Sequence, residues 1–335
     1  MRRSAAFFLS VLVTVIALLA VCKRGLSLCS REYYMMGTIV RITLPLRYSD
    51  AAAETAHRMR HIASQVNAFS AAGDIACINR SVKPVKVSAA TFQLLRAGLD
   101  LCKKTDGAFD ITCGRLSEIW GFKEGKYRIP KDSEIERALT GVNYRLIDLS
   151  EPFVVSGRTK NTRVDPGGIA KGFIVDRAVD FLIGRGVPYG IIDAGGDLRC
   201  WGTKPRKRPW VIGVQNPRHT DSIIGRLLID RPAAIATSGD YQRFFIKDGK
   251  RYCHIMDPSR GRPADKVMSA TVIGANAAET DAMATAVCVL GVKKGLELLR
   301  KNGMDGIIID KDGRTSFTSG ISKIFIQEKD NAVLP

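Results

Sequence analysis

Two hydrophobic rhythms follow one another along this 335-residue chain, and their order sketches the fold. From Met36 to Leu44, Ile39, Arg41 and Thr43 interleave with Val40, Ile42 and Leu44, the alternation of a strand. Between Asp50 and Phe69, the positions Met59, Ile62, Ala63 and Val66 recur at helical spacing and predict a helix with one buried face. Ser88 can cap a second helix, whose apolar face is Phe92, Leu95, Leu99 and Cys102. A shorter helix is expected around Ser133 to Leu139, before a strand-like patch near Tyr144 to Leu149. Ile169 to Leu182 is helical again, framed by Gly167-Gly168 and by Gly184 and Gly186.

Short β-rich runs come next: Tyr189 to Ile192, Leu198 to Trp201, Trp210 to Val214, Arg226 to Ile229, Tyr241 to Ile246 and Lys266 to Ile273. Their spacing suggests a meandering antiparallel sheet. Helices are expected over Asn276 to Leu290 and Val292 to Asn302, with Gly303 as the stop. Strands and helices come in blocks rather than in strict alternation, so the fold class is α+β: a mostly antiparallel sheet flanked by helices. No Gly-rich linker divides residues 33–330, which read as one domain with room for two lobes. The basic run Lys204-Pro205-Arg206-Lys207-Arg208 falls between two strands; it reads as a solvated hairpin tip or as a contact for an anionic membrane.

The first 21 residues follow a different pattern. Arg2 and Arg3 precede a run from Ser4 to Val21 without a charge, the form of an export signal or of a minimal membrane-spanning helix. The run ends Leu19-Ala20-Val21-Cys22, which resembles a bacterial lipoprotein processing box, with Cys22 as the residue to be lipidated. Lipidation, an uncleaved anchor and simple secretion stay open, and export is common to all three. The expectation is a domain in the cell envelope, held by a short basic tether (residues 22–32) on the inner membrane and facing the periplasm.

Composition narrows the partners. Apolar residues make up 45% and charged residues 25%, as in globular proteins, while the net charge is +18. Such a surface attracts nucleic acid, anionic lipid or a phosphorylated small molecule. No helix-turn-helix, zinc-finger or RNA-binding signature is present, so nucleic acid is not expected. The eight cysteines include no C-x-x-C pair, which excludes zinc-knuckle and thioredoxin-type motifs; Cys102, Cys113 and Cys288 read as small apolar core residues.

Four segments carry candidate chemistry. Asp165-Pro166-Gly167-Gly168-Ile169-Ala170-Lys171-Gly172 sets a carboxylate, a glycine pair, a helix start and a lysine together. That combination suits a phosphate or pyrophosphate, or is a tight turn into a helix; neither a Walker motif nor a dinucleotide fingerprint is present. Asp281 and Thr285 share one helical face and offer two hard oxygen ligands suited to Mg²⁺, or are a surface acid and a threonine bonded back to its own helix. His254 ends a strand before the Asp257-Pro258 turn and can either take a hydroxyl proton or bond that turn. Ala236 to Asp240 and Asp193 to Asp197 place small residues beside carboxylates, as pocket walls or as β-turns.

Together, in order, Met36-Gly37-Thr38, Gly107 to Thr112, Trp120-Gly121-Phe122, Asp165 to Gly172, Asp193 to Asp197, Ala236 to Asp240, His254 to Pro258 and Thr280 to Thr285 resemble the FAD:protein FMN transferases, the ApbE-like flavin transferases. The resemblance implies a Mg²⁺ held by Asp281, Thr285 and a backbone oxygen at Gly168. It implies a flavin and adenylate pocket lined by Met36, Ala108, Phe109, Asp110, Asp165, Lys171 and Ile255. His254 would deprotonate the hydroxyl of an acceptor flavoprotein of the envelope, and FAD would be the substrate. A Mg²⁺-dependent FAD pyrophosphatase and a non-catalytic FAD-binding lipoprotein are the alternatives. One further segment, Asp312-Gly313-Arg314-Thr315-Ser316-Phe317-Thr318, resembles a flavin-acceptor pattern, or is a turn between two strands.

Overall fold

The computed structural model describes residues 27–328 except 69, 71 and 220; the apolar run from Ser4 to Val21 and Cys22 lie outside the described residues. Eight strands form one sheet whose spatial order is also their chain order: β1 (Leu28–Met35), β2 (Thr38–Pro45), β3 (Gly190–Ala194), β4 (Asp197–Trp201), β5 (Ala233–Gly239), β6 (Val267–Gly274), β7 (Asp305–Asp310) and β8 (Thr315–Phe317). Every neighbouring pair is antiparallel, as the meandering pattern predicted.

The five longest helices among the described residues are α1 (Ala51–Val66), α2 (Ala89–Lys104), α3 (Ala170–Gly184), α4 (Ala277–Leu290) and α5 (Val292–Lys301). Ser88 caps α2 as expected, its hydroxyl accepting from Thr91 N. The helices cover one face of the sheet, and a three-stranded sheet (Trp210–Gln215, Ile223–Ile229, Phe325–Gln327) covers the other. Alternation along the strands sorts side chains between these layers. On β5, Ala234 packs with the helices, whereas Ala233 and Ile235 meet Trp210, Leu227 and Ile229 of the second sheet. A third, smaller core gathers Leu116, Trp120, Phe122, Ile135, Ala138 and Met256. Among the described residues, no helix is long and apolar enough to cross a membrane.

Three expectations are corrected. Strand β1 begins at Leu28, inside the stretch expected to be a tether, because Tyr33 and Met35 bury inward and all eight of its residues pair with β2. Met36 is not a strand residue: Met36 and Gly37 are the left-handed corners (φ 55° and 72°) of the β1–β2 turn. Nor is Lys204–Arg208 a hairpin tip. The strands that flank it belong to different sheets, so the run is a crossover, with a 3₁₀ turn at Pro205–Lys207.

Candidate functional site

Glycines let the pocket walls close. At the β3–β4 turn, Gly195 (φ 67°) comes so near the β1–β2 turn that a Cβ there would lie 2.2 Å from Thr38 Oγ1. This contact joins two of the recognised segments, Met36-Gly37-Thr38 and Asp193 to Asp197, into one wall. At Gly172 a Cβ would meet the Ala277 carbonyl at 2.2 Å, so α3 and the start of α4 cross backbone to backbone. These close approaches bring the helix ends, the strand ends of β5 and the His254 segment around one cavity of about 780 Å³.

Every residue singled out as ligand-facing or metal-facing in the folded region lines this cavity: Met36, Ala108, Phe109, Asp110, Asp165, Gly168, Lys171, His254, Ile255, Asp281 and Thr285. Phe109 and Ile255 are buried apolar walls suited to a flat ring. The carboxylate of Asp110 is committed elsewhere, because Oδ1 accepts from Thr112 N (2.8 Å) and Thr112 Oγ1 (2.6 Å), and Oδ2 from Tyr144 N (3.0 Å). Asp110 therefore shapes the wall and fixes the Ala108-Phe109 turn. Asp165 closes an Asx turn, Oδ1 accepting from Gly167 N at 2.9 Å, which sets up the glycine pair before α3.

Lys171 pairs with buried Asp197. Burial disfavours its charge, but Asp197 and Asp281 outweigh that and hold the ammonium well above its usual range. One helical turn into α4, Asp281 is buried and receives only a long backbone bond, Gly172 N to Oδ2 at 3.3 Å. Burial and then the nearby Asp197 push its carboxyl well above the usual carboxylate range. A buried, under-coordinated acid of this kind favours a cation. Thr285, on the same face, is 3.2 Å from Ser238 Oγ, and a Cβ on Gly168 would lie 3.0 Å from Thr285 Oγ1.

Among the described residues, no three His, Cys, Asp or Glu side chains form a metal cage. The carbonyl of Gly168, the carboxylate of Asp281 and the hydroxyl of Thr285 are instead hard oxygen donors on residues that line the same cavity. That donor set fits Mg²⁺, which leaves its other positions to water and substrate phosphate.

His254 leaves the two-stranded hairpin formed by Phe244–Lys247 and Lys250–Cys253. Its backbone N donates to the Arg243 carbonyl at 3.0 Å, and its ring Nδ1 lies 3.2 Å from the same oxygen. A carbonyl only accepts, so Nδ1 carries the hydrogen and Nε2 keeps a free lone pair. Burial, with Arg243 beside it, lowers the ring's pKa to about 4, so the ring is neutral at ordinary pH.

Asp176 was not visible in the sequence pattern. It sits on α3 and accepts from the first backbone N–H groups of α4, Ala277 N at 3.0 Å and Ala278 N at 2.9 Å, while Arg199 Nη1 bonds Oδ1 at 3.0 Å. It thus clamps the helix that carries Asp281 onto the helix that carries Lys171. Asn79 was missed too: its side-chain amide exchanges two bonds with the backbone of Val164 (2.7 and 2.8 Å) and steadies the segment leading to Asp165. A polar residue inside a helical stretch announces neither role, because each partner lies far away in sequence.

Within the Asp312–Thr318 segment, residues 312–314 form the turn that leaves β7, and Thr315–Phe317 is strand β8 itself. Thr318 is buried, its hydroxyl donating to Asp305 Oδ1 at 2.7 Å and accepting from Gly306 N at 3.0 Å.

With this sheet, cavity and donor set in place, the comparisons with known proteins are specific. Residues 36–308 match the model of the ApbE family, and the chain belongs to that family. It is 30% identical over 279 residues to a FAD:protein FMN transferase of Vibrio cholerae, covering 81% of this chain and 83% of that one. A FAD:protein FMN transferase of Treponema pallidum is also 30% identical, over 318 residues and 87% of each chain. Among solved structures, an ApbE protein of Thermotoga maritima superposes with a TM-score of 0.83 at 33% identity, over 89% of this chain and 99% of that one.

Proposed function

We propose that this protein is a Mg²⁺-dependent FAD:protein FMN transferase, which splits FAD and attaches its FMN half through a phosphoester to a Thr or Ser of an acceptor protein in the cell envelope. The observation that carries this reading is the convergence, on one cavity, of a neutral histidine, a buried lysine and the Gly168–Asp281–Thr285 oxygen set. Phe109 and Ile255 suit the flavin ring. Lys171, held protonated, offsets charge on the pyrophosphate. Nε2 of His254 takes the proton of the acceptor hydroxyl as that oxygen attacks the FMN phosphorus. The bond from that phosphorus to the bridging oxygen breaks, and AMP departs with the electron pair. Gly168, Asp281 and Thr285 would hold a Mg²⁺, which would supply charge neutralisation on the pyrophosphate.

The apolar run before Cys22 supports an exported protein held on the inner membrane, with the domain in the periplasm. The test is incubation of the full chain with FAD, Mg²⁺ and candidate envelope flavoproteins. AMP together with an FMN-modified acceptor is expected. Free FMN without an adduct would make the protein a pyrophosphatase, and intact FAD would leave only a binding protein.

A further inference from the structure

Strands β1 to β5 each have one end at the cavity and the other at the opposite rim of the sheet. The cavity end holds the Met36–Gly37 turn, the Ala194–Asp197 turn and the Ser238–Gly239 end of β5. The far rim holds the start of β1, where Leu28 pairs with Pro45, then the start of β3, the end of β4 at Trp201 and the start of β5 at Ala233. Eight residues of β2 separate the two rims, roughly 25 Å at the rise of a strand.

Three features meet at the far rim. The chain enters there: between Cys22 and Leu28 lie few enough residues that the strand starts within about 20 Å of the end of the apolar run. Beside that entry, Leu28 and Leu46 stand 40% and 39% exposed, brought together by the bond from Leu46 N to the Ser27 carbonyl at 2.9 Å. The crossover that leaves β4 then presents Arg206, Lys207 and Arg208, all exposed, while Lys204 lies over the Trp210 ring at 4.3 Å. Arg206 and Lys207 both adopt left-handed backbone (φ 61° and 51°), a conformation that non-glycine residues rarely hold twice in succession. Exposed Arg47 and Arg231 add to the rim, against the exposed acid Asp230.

We propose that this rim is a membrane-facing surface, in which Leu28 and Leu46 meet the interface and Arg47, Arg206, Lys207 and Arg208 rest on anionic phospholipid headgroups. Exposed apolar side chains flanked by cations are the composition of peripheral bilayer contacts, and anionic headgroups supply the complementary charge. The consequence is orientation: the catalytic cavity points away from the bilayer, toward acceptors in the aqueous space. The inference rests on the reading of residues 4–22 as a membrane anchor.

The test is amine acetylation with mass spectrometry on the full chain in two kinds of nanodisc, phosphatidylglycerol mixed with phosphatidylcholine and phosphatidylcholine alone. Lys247 and Lys250, exposed on the hairpin at the cavity end, serve as internal references. Labelling of Lys204 and Lys207 should fall at least about threefold in the anionic discs relative to the neutral ones, and high salt should restore it. The variant Arg206→Glu/Lys207→Glu/Arg208→Glu should label Lys204 equally in both discs while AMP release from FAD is unchanged. Equal labelling of the native chain in both discs would overturn the surface and leave the anchor standing. A chain that co-elutes with neither disc would overturn the anchor reading and the surface with it.

Discussion

Gly168 and Thr285 oppose each other so closely that a Cβ on the glycine would lie 3.0 Å from Thr285 Oγ1 and 3.2 Å from Phe109 Cε2. The glycine is needed here for space, since its φ lies outside the left-handed region that side chains avoid. Gly168→Ala should therefore fold with a loss of about 1 to 3 kcal/mol or less. Its turnover should fall at least about tenfold, because the methyl group fills the proposed cation cradle. AMP release as a function of Mg²⁺ concentration reads the effect, and an unchanged Mg²⁺ dependence would remove Gly168 from the cation site.

Asp176→Ala leaves two N–H groups of α4 without their acceptor, while Arg199 keeps its bond to Asp180 Oδ1. Each lost acceptor costs about 1 to 3 kcal/mol in a buried setting, so a loss of several kcal/mol is expected in chemical denaturation. Asp176→Asn retains one acceptor oxygen and should fall between that variant and the native protein. Equal stability of all three would mean that the clamp contributes nothing.

The pH dependence follows from His254. Its folded pKa, about 4, is depressed below the ordinary histidine value of about 6.5, so the ring is the free base above both. Activity that depends on this base should be flat near neutrality and fall as pH drops toward 4. The stability linked to this ring has the same sign: present above the unfolded value, and lost as pH falls through the window down to the folded one. A ring-proton NMR titration of His254 checks both statements, and a midpoint near the ordinary value would contradict them. His254→Ala should lower transfer by about 10² to 10⁴.

Thr318 lies sealed between Asp305 and Gly306. Incubation of the full chain with FAD and Mg²⁺ should therefore leave its intact mass unchanged. An added FMN mapped to Thr318 would show that β8 opens enough to expose the hydroxyl.

The elements that the sequence revealed are those whose burial is one-sided. Helix α2 announces itself through Ser88 and the apolar face at Phe92 and Leu95, because its other face meets water. Strand β5 is absent from the expected strands, and its end, Ala236 to Asp240, reads as a pocket wall or a β-turn: Ala233–Gly239 is buried on both faces, so it lacks alternation, and its small residues and terminal Gly239-Asp240 imitate a turn. Strand β1 was hidden in the opposite way, with most of its side chains at the surface on the sheet's edge.

For the site, residue types and their order along the chain were enough to select Asp165 to Gly172, His254, Asp281 and Thr285, since that chemistry is written in side chains. The tertiary structure alone decided which groups remain available. It committed the Asp110 carboxylate to Thr112 and Tyr144, left Nε2 of His254 free, and set Asp176 as the clamp on α4. Hydrogen-bond partners far apart in sequence are fixed only when the sheet and helices pack. A local pattern can therefore name a functional group, but not whether that group is free to act.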